Sequence, residues 1–94
     1  MKFRVERILP QHSVNRLEGQ GVMLDVHRPS LPDVQVGTEL ELEIRPELPA
    51  DLTGWSYVAQ GEPLGGHAST YSFGGLLLRA PHLPMVDPAF VCIR

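Results

Sequence analysis

One cysteine, one lysine, no long apolar run and no stretch with a helical period are what this sequence offers, and each shortage closes off a class of protein. Cys92 has no second thiol to pair with, and no basic-apolar leader precedes Met1-Lys2-Phe3, so the expectation is a cytoplasmic chain without a disulfide. Nothing approaches the roughly 20 consecutive apolar residues that span a bilayer, so no membrane partner is expected. Eight basic residues against eleven acidic ones give a net charge of -3. That sign is wrong for a protein that holds nucleic acid by neutralising phosphates, and contact with nucleic acid is expected to be weak or indirect. His12, His27, His67 and His82 lie far apart and Cys92 is isolated, so no ligand pair is spaced for a metal and no cofactor is expected. The same scatter argues against a Cys-His or Ser-His nucleophile.

What is present is β signal with frequent punctuation. The 43% apolar and 20% charged residues are those of a globular chain, and nine glycines with nine prolines suit short strands joined by many turns. A single domain spanning residues 1–94 is expected. Lys2 to Leu9 alternates and closes at Pro10, predicting a first strand, with Gln11 to Asn15 as a polar connection. Val22, Leu24 and Val26 predict the apolar face of a second. Arg28 to Asp33 holds two prolines and reads as a loop with a tethered Leu31, not a helix. Thr38 to Arg45 has the cleanest alternation, sending Leu40, Leu42 and Ile44 inward and Glu39, Glu41 and Glu43 outward. Trp55 to Gly61 and Ala89 to Arg94 predict further strands, with a turn through Gly65-Gly66 before the next.

Several constellations invite a chemical reading. Neighbouring glutamates of the stripe stand about 6.6 Å apart along the strand, near the separation used by glycosidases, yet nothing raises the pKa of one of them, so a solvated face is the expected role. The aromatic pairs Trp55 with Tyr57 and Tyr71 with Phe73 fall at same-face spacing. That spacing can stack bases, but a domain this small needs its aromatics for packing. Gly19-Gln20-Gly21 and Gly61 to His67 lack the endings of nucleotide-binding loops and read as turns.

The stretch Thr70-Tyr71-Ser72-Phe73-Gly74-Gly75-Leu76-Leu77-Leu78-Arg79 is the most informative. Two glycines inside a strand-like run mark a bulge, a sharp bend or a close backbone approach. In an unbroken strand Phe73, Gly75, Leu77 and Arg79 would share a face. A one-residue bulge at Gly74-Gly75 instead puts Tyr71, Phe73, Leu76 and Leu78 on one face and Leu77 with Arg79 on the other, and this bulged reading is preferred because it fills a core. An exposed leucine beside an arginine has the composition of an interface.

Ser72 to Arg79 resembles the Ser-Tyr-Gly-Gly-Leu-Leu-Met-Arg segment of the eighth subunit shared by eukaryotic nuclear RNA polymerases and of the archaeal counterpart of that subunit, with six of eight positions identical. Phe73 stands for a tyrosine and Leu78 for a methionine, the latter conserving volume. Fainter likeness follows the family's order through Arg16-Leu17, Val22 to Val26, Pro32 to Ile44 and Trp55 to Gly61. The short Pro46 to Gly54 connection is closer to the compact archaeal form than to the longer-looped eukaryotic one. The resemblance implies a small antiparallel OB-type barrel, all-β, that is not an enzyme by itself. It would dock on the periphery of the largest subunit of a DNA-directed RNA polymerase. The interface residues would be Ser72, Phe73, Gly74, Gly75, Leu77 and Arg79. The alternative is a free-standing OB module for single-stranded nucleic acid.

Overall fold

The structure, a computed structural model, describes residues 1–64, 70–74, 76–81, 83 and 85–94. Among the described residues nine strands form one antiparallel sheet: β1 Lys2–Arg4, β2 Arg7–Pro10, β3 Val14–Gly19, β4 Val22–His27, β5 Glu39–Arg45, β6 Tyr57–Pro63, β7 Thr70–Phe73, β8 Leu76–Arg79 and β9 Ala89–Ile93. Their order across the sheet is β1-β5-β9-β6-β7-β8-β4-β3-β2. The chain is therefore all-β, and the sheet curls into a barrel-like shell. Among the described residues no helix is long and apolar enough to cross a membrane.

The curl follows from the two ends of that order. β1 and β2 are the two edge strands, yet only Val5 and Glu6 separate them in the chain. Val5 N donates to Thr38 O and Val5 O accepts from Gly37 N, extending the β5 side, while Glu6 N donates to Glu18 O on β3. One segment thus leaves one edge and joins the other. The single strand expected over Lys2 to Leu9 is corrected accordingly: its hydrogen-bonding partners change between Val5 and Glu6, so it counts as two.

β3 is not among the strands that the pattern predicts, because Gln11 to Asn15 reads as a polar connection. Its inward positions are Asn15, Leu17 and Gly19, so only one large apolar residue marks the alternation and the periodic signal fades. Pairing supplies what propensity does not, because β3 is hydrogen-bonded to β2 on one side and β4 on the other. The β3–β4 turn is Gln20-Gly21, with φ of 53° and 83°, the left-handed pair that a tight two-residue hairpin favours. Residues 28–30 also depart from expectation, forming one 3-10 turn. Pro29 sits at its start, where a missing donor costs nothing. Leu31, just beyond, is buried as its tethering predicts.

The core fills the inside of the curl. Phe3, Val5, Leu17, Leu24, Val26, Leu42, Tyr71, Phe73, Leu78, Val91 and Ile93 are almost fully buried, drawn from every strand except β2 and β6. β6 contributes Gly61, where a side chain would press on Ser72 O, Phe73 and Val91. Its expected start at Trp55 moves to Tyr57.

Candidate interaction surface

Residues 70–79 form a hairpin rather than one bulged strand, which corrects the expectation from sequence. β7 and β8 pair antiparallel with Thr70 opposite Arg79, Tyr71 opposite Leu78, Ser72 opposite Leu77 and Phe73 opposite Leu76. Gly74 takes up a φ of 54° at the turn; Gly75 lies outside the described residues. Opposite residues in an antiparallel pair share a face. That register therefore produces the same partition that a bulge would: Tyr71, Phe73, Leu76 and Leu78 are buried, whereas Leu77 is half-buried and Arg79 exposed. Tyr71 is held by its hydroxyl, which accepts a hydrogen bond from Val86 N at 3.0 Å.

Of the six residues singled out as an interface, Leu77 and Arg79 present their side chains outward, Ser72 is half-buried beside Leu77, and Gly74 is exposed at the turn. Phe73 turns inward. Its ring is 1% exposed and tilts against Tyr57 at a centroid distance of 6.0 Å, so it has no side-chain surface to give a partner.

The strands beside the hairpin complete the outer face. Arg79 lies opposite Met23 on β4, Met23 opposite Glu18 on β3, and Glu18 opposite Arg7 on β2. In the next row Asp25 lies opposite Arg16, and Arg16 opposite Leu9. Arg16 grips Asp25 with both ends of its fork, Nε to Oδ1 at 2.9 Å and Nη2 to Oδ2 at 3.1 Å. That hydrogen bonding, then the carboxylate charge, pushes the guanidinium pKa up. Arg7 pairs with Glu18. The Arg79 side chain has no hydrogen bond or ion pair with any described residue. Sequence reasoning missed Met23 and the Arg16–Asp25 pair as parts of this face because it missed β3; the available signal was the Gly19-Gln20-Gly21 turn.

The acidic stripe on β5 is only partly solvated. Glu39 is exposed, but Glu41 Oε2 accepts from Arg94 Nε at 3.0 Å and Glu43 Oε2 from Arg45 Nε at 2.8 Å. The Arg94 hydrogen bond holds the Glu41 carboxyl below its ordinary range, the wrong direction for a general acid. Trp55 precedes β6, under the Arg94 guanidinium at 4.2 Å and the Arg45 guanidinium at 5.5 Å. Its ring is occupied by cations rather than offered as a stacking platform. Tyr71 and Phe73, the second aromatic pair, are in the core.

His12 and His27 are exposed on separate segments; His67 and His82 lie outside the described residues, as does Gly65-Gly66. Among the described residues no three His, Cys, Asp or Glu side chains gather as a metal site. Cys92 is free and buried. A recess at the Gln20-Gly21 turn brings Glu6 and Glu18 together, but Glu6 accepts from Gln20 N and Glu18 pairs with Arg7, so neither is a free acid or base. Scanned against protein-family models the chain matches no family, and searched against curated proteins it finds no match.

Proposed function

We propose that the protein is a non-catalytic small subunit of a cellular DNA-directed RNA polymerase, resembling the archaeal counterpart of the eighth subunit of the eukaryotic nuclear enzymes. In this reading it docks on the periphery of the largest subunit and supports assembly and stability of the enzyme. The observation that carries this reading is the Ser72 to Arg79 segment, with six of eight positions shared, on a hairpin that turns Leu77 and Arg79 outward. The finer fold reading is an OB-type barrel. Support for it comes from the continuous segment Lys2 to Pro10, which lies along both edges of the curled sheet.

In mechanism the outer face of the hairpin acts as a preformed surface. Docking removes the Leu77 side chain and the turn backbone from water and gives Arg79 a carboxylate, whose geometry suits a planar guanidinium. Nucleotidyl transfer belongs to other chains. The working compartment is the cytoplasm, and no cofactor is needed for a docking role. Affinity capture of the tagged chain from native lysate at moderate and high salt tests this. The expected result is stoichiometric recovery of the large polymerase subunits, reduced in Leu77→Asp and Arg79→Glu. Recovery of the chain alone, or of nucleic acid released as salt rises, would overturn it and favour a free module for single-stranded nucleic acid.

A further inference from the structure

We propose that the docking footprint extends from the hairpin across β4 and β3 to β2, and that its occupant is an apolar protein segment carrying one carboxylate, placed to meet Arg79. The proposal rests on the reading of the β7–β8 hairpin as a docking element, but not on which protein docks.

Three observations define the footprint. Leu77 and Met23 point outward, each between two buried neighbours, and Leu9 is exposed beside the half-buried Ile8. From β8 to β2 is three strand spacings, about 14 Å, enough for the centre of a small interface. Second, the charges between these apolar side chains are already neutralised inside the chain. Arg16 is clamped to Asp25 and Arg7 pairs with Glu18, so a partner need not supply counterions for them. Asp25, only 8% exposed although it is on the outer face, is sheltered there. Third, Arg79 alone among the charges of this face has no counterion within the described residues.

A surface of paired charges and half-exposed apolar side chains has little to offer a polyanion, which would need several free cations. It suits a protein surface of the same character with one uncompensated negative charge. The wider charge distribution agrees. β8, β4, β3 and β2 carry Arg79, Arg16 and Arg7 against Asp25 and Glu18, a net charge of +1, whereas β5 carries Glu39, Glu41 and Glu43 against Arg45. An acidic partner is therefore steered to the β8-β4-β3-β2 side and away from β5.

The test is site-specific photo-crosslinking of the full chain in native extract, with a photoreactive residue placed in turn at Met23, Leu9 and, as a control on a distant loop, Leu48. Adducts are typed by nuclease treatment and peptide mapping. Nuclease-resistant protein adducts are expected from positions 23 and 9 and not from 48. They should fall at least about tenfold when Arg79→Glu is added, and recover when an acidic residue mapped beside the adduct on the partner is changed to lysine. Arg79→Ala, which removes the charge at an exposed position, gives an intermediate loss and controls for folding through an unchanged urea midpoint. Adducts from 23 and 9 to a polymerase subunit support both readings. Adducts to a different protein, with the same Arg79 dependence, support the footprint and refute the polymerase assignment. Absence of adducts at 23 and 9, adducts destroyed by nuclease, adducts to a second copy of the chain, or insensitivity to Arg79→Glu would each overturn the proposal.

Discussion

Gly19→Ala probes the feature that curls the sheet. Gly19 ends β3 directly beneath the passage from β1 to β2, and a Cβ there would meet Arg4 O at 1.9 Å, Arg4 C at 3.1 Å and Glu6 N at 3.1 Å. These are backbone atoms, so no rotamer change relieves the clash. The passage must lift by about 1 Å or more to restore an ordinary contact distance. It is tied down on both sides, by Val5 to Thr38 and Gly37 and by Glu6 to Glu18 at 2.8 Å, and anchored by buried Phe3 and Val5. Overpacking of this kind costs about 1 to 3 kcal/mol, and the Glu6–Glu18 hydrogen bond about 1 more if it breaks. The smaller conformational freedom of alanine in the unfolded chain returns about 0.4 to 1 kcal/mol. The net loss is about 1 to 3.5 kcal/mol, centred on about 2. With a urea slope of about 1 to 1.5 kcal/mol/M, the unfolding midpoint falls by about 2 M. Gly54→Ala is the matched control, because its Cβ would meet only Nη1 at the far end of the Arg94 side chain, at 3.4 Å. A midpoint shift for Gly19→Ala no larger than that of Gly54→Ala would refute the crossing geometry.

Two further predictions concern the hairpin and the buried thiol. Leu78→Ala should cost about 2 to 4 kcal/mol in urea unfolding because Leu78 is fully buried, while Leu77→Ala should cost less than about 1; equal losses would overturn the face assignment. Burial pushes the Cys92 thiol up, with Arg45 opposing and Glu43 adding, so the folded chain keeps a proton that the unfolded chain releases. The contribution of Cys92 to stability is then flat below about pH 8.5 and declines as pH rises above it; urea unfolding of Cys92→Ala between pH 7 and 10 should show a shallower decline, and an unchanged slope would contradict this.

Much of the architecture was written in local pattern. Leu40, Leu42 and Ile44 alternating with three glutamates marked β5, and Val22, Leu24 and Val26 marked β4, because a strand with one wet face must alternate. The outward placement of Leu77 and Arg79 was also legible, since the two glycines shift the parity whether they form a bulge or a turn. Nothing local distinguished those two cases: a bulge and a hairpin differ in whether Tyr71 lies opposite Leu78 or on a partner strand elsewhere, and that is a long-range pairing.

An all-β chain, the inward and outward sides of most strands, and the scattering of its histidines and lone cysteine follow from period-two patterning and from residue counts alone. The tertiary structure decided that Val14–Gly19 is a strand, that one N-terminal segment serves both edges of the sheet, and that Arg16 meets Asp25 while Arg79 meets no described charge. Each of these depends on which strands become neighbours, and β pairing joins residues far apart in the chain by backbone groups that every residue carries. The same groups are present whatever the side chain, so the pairing leaves little trace in the residues it brings together.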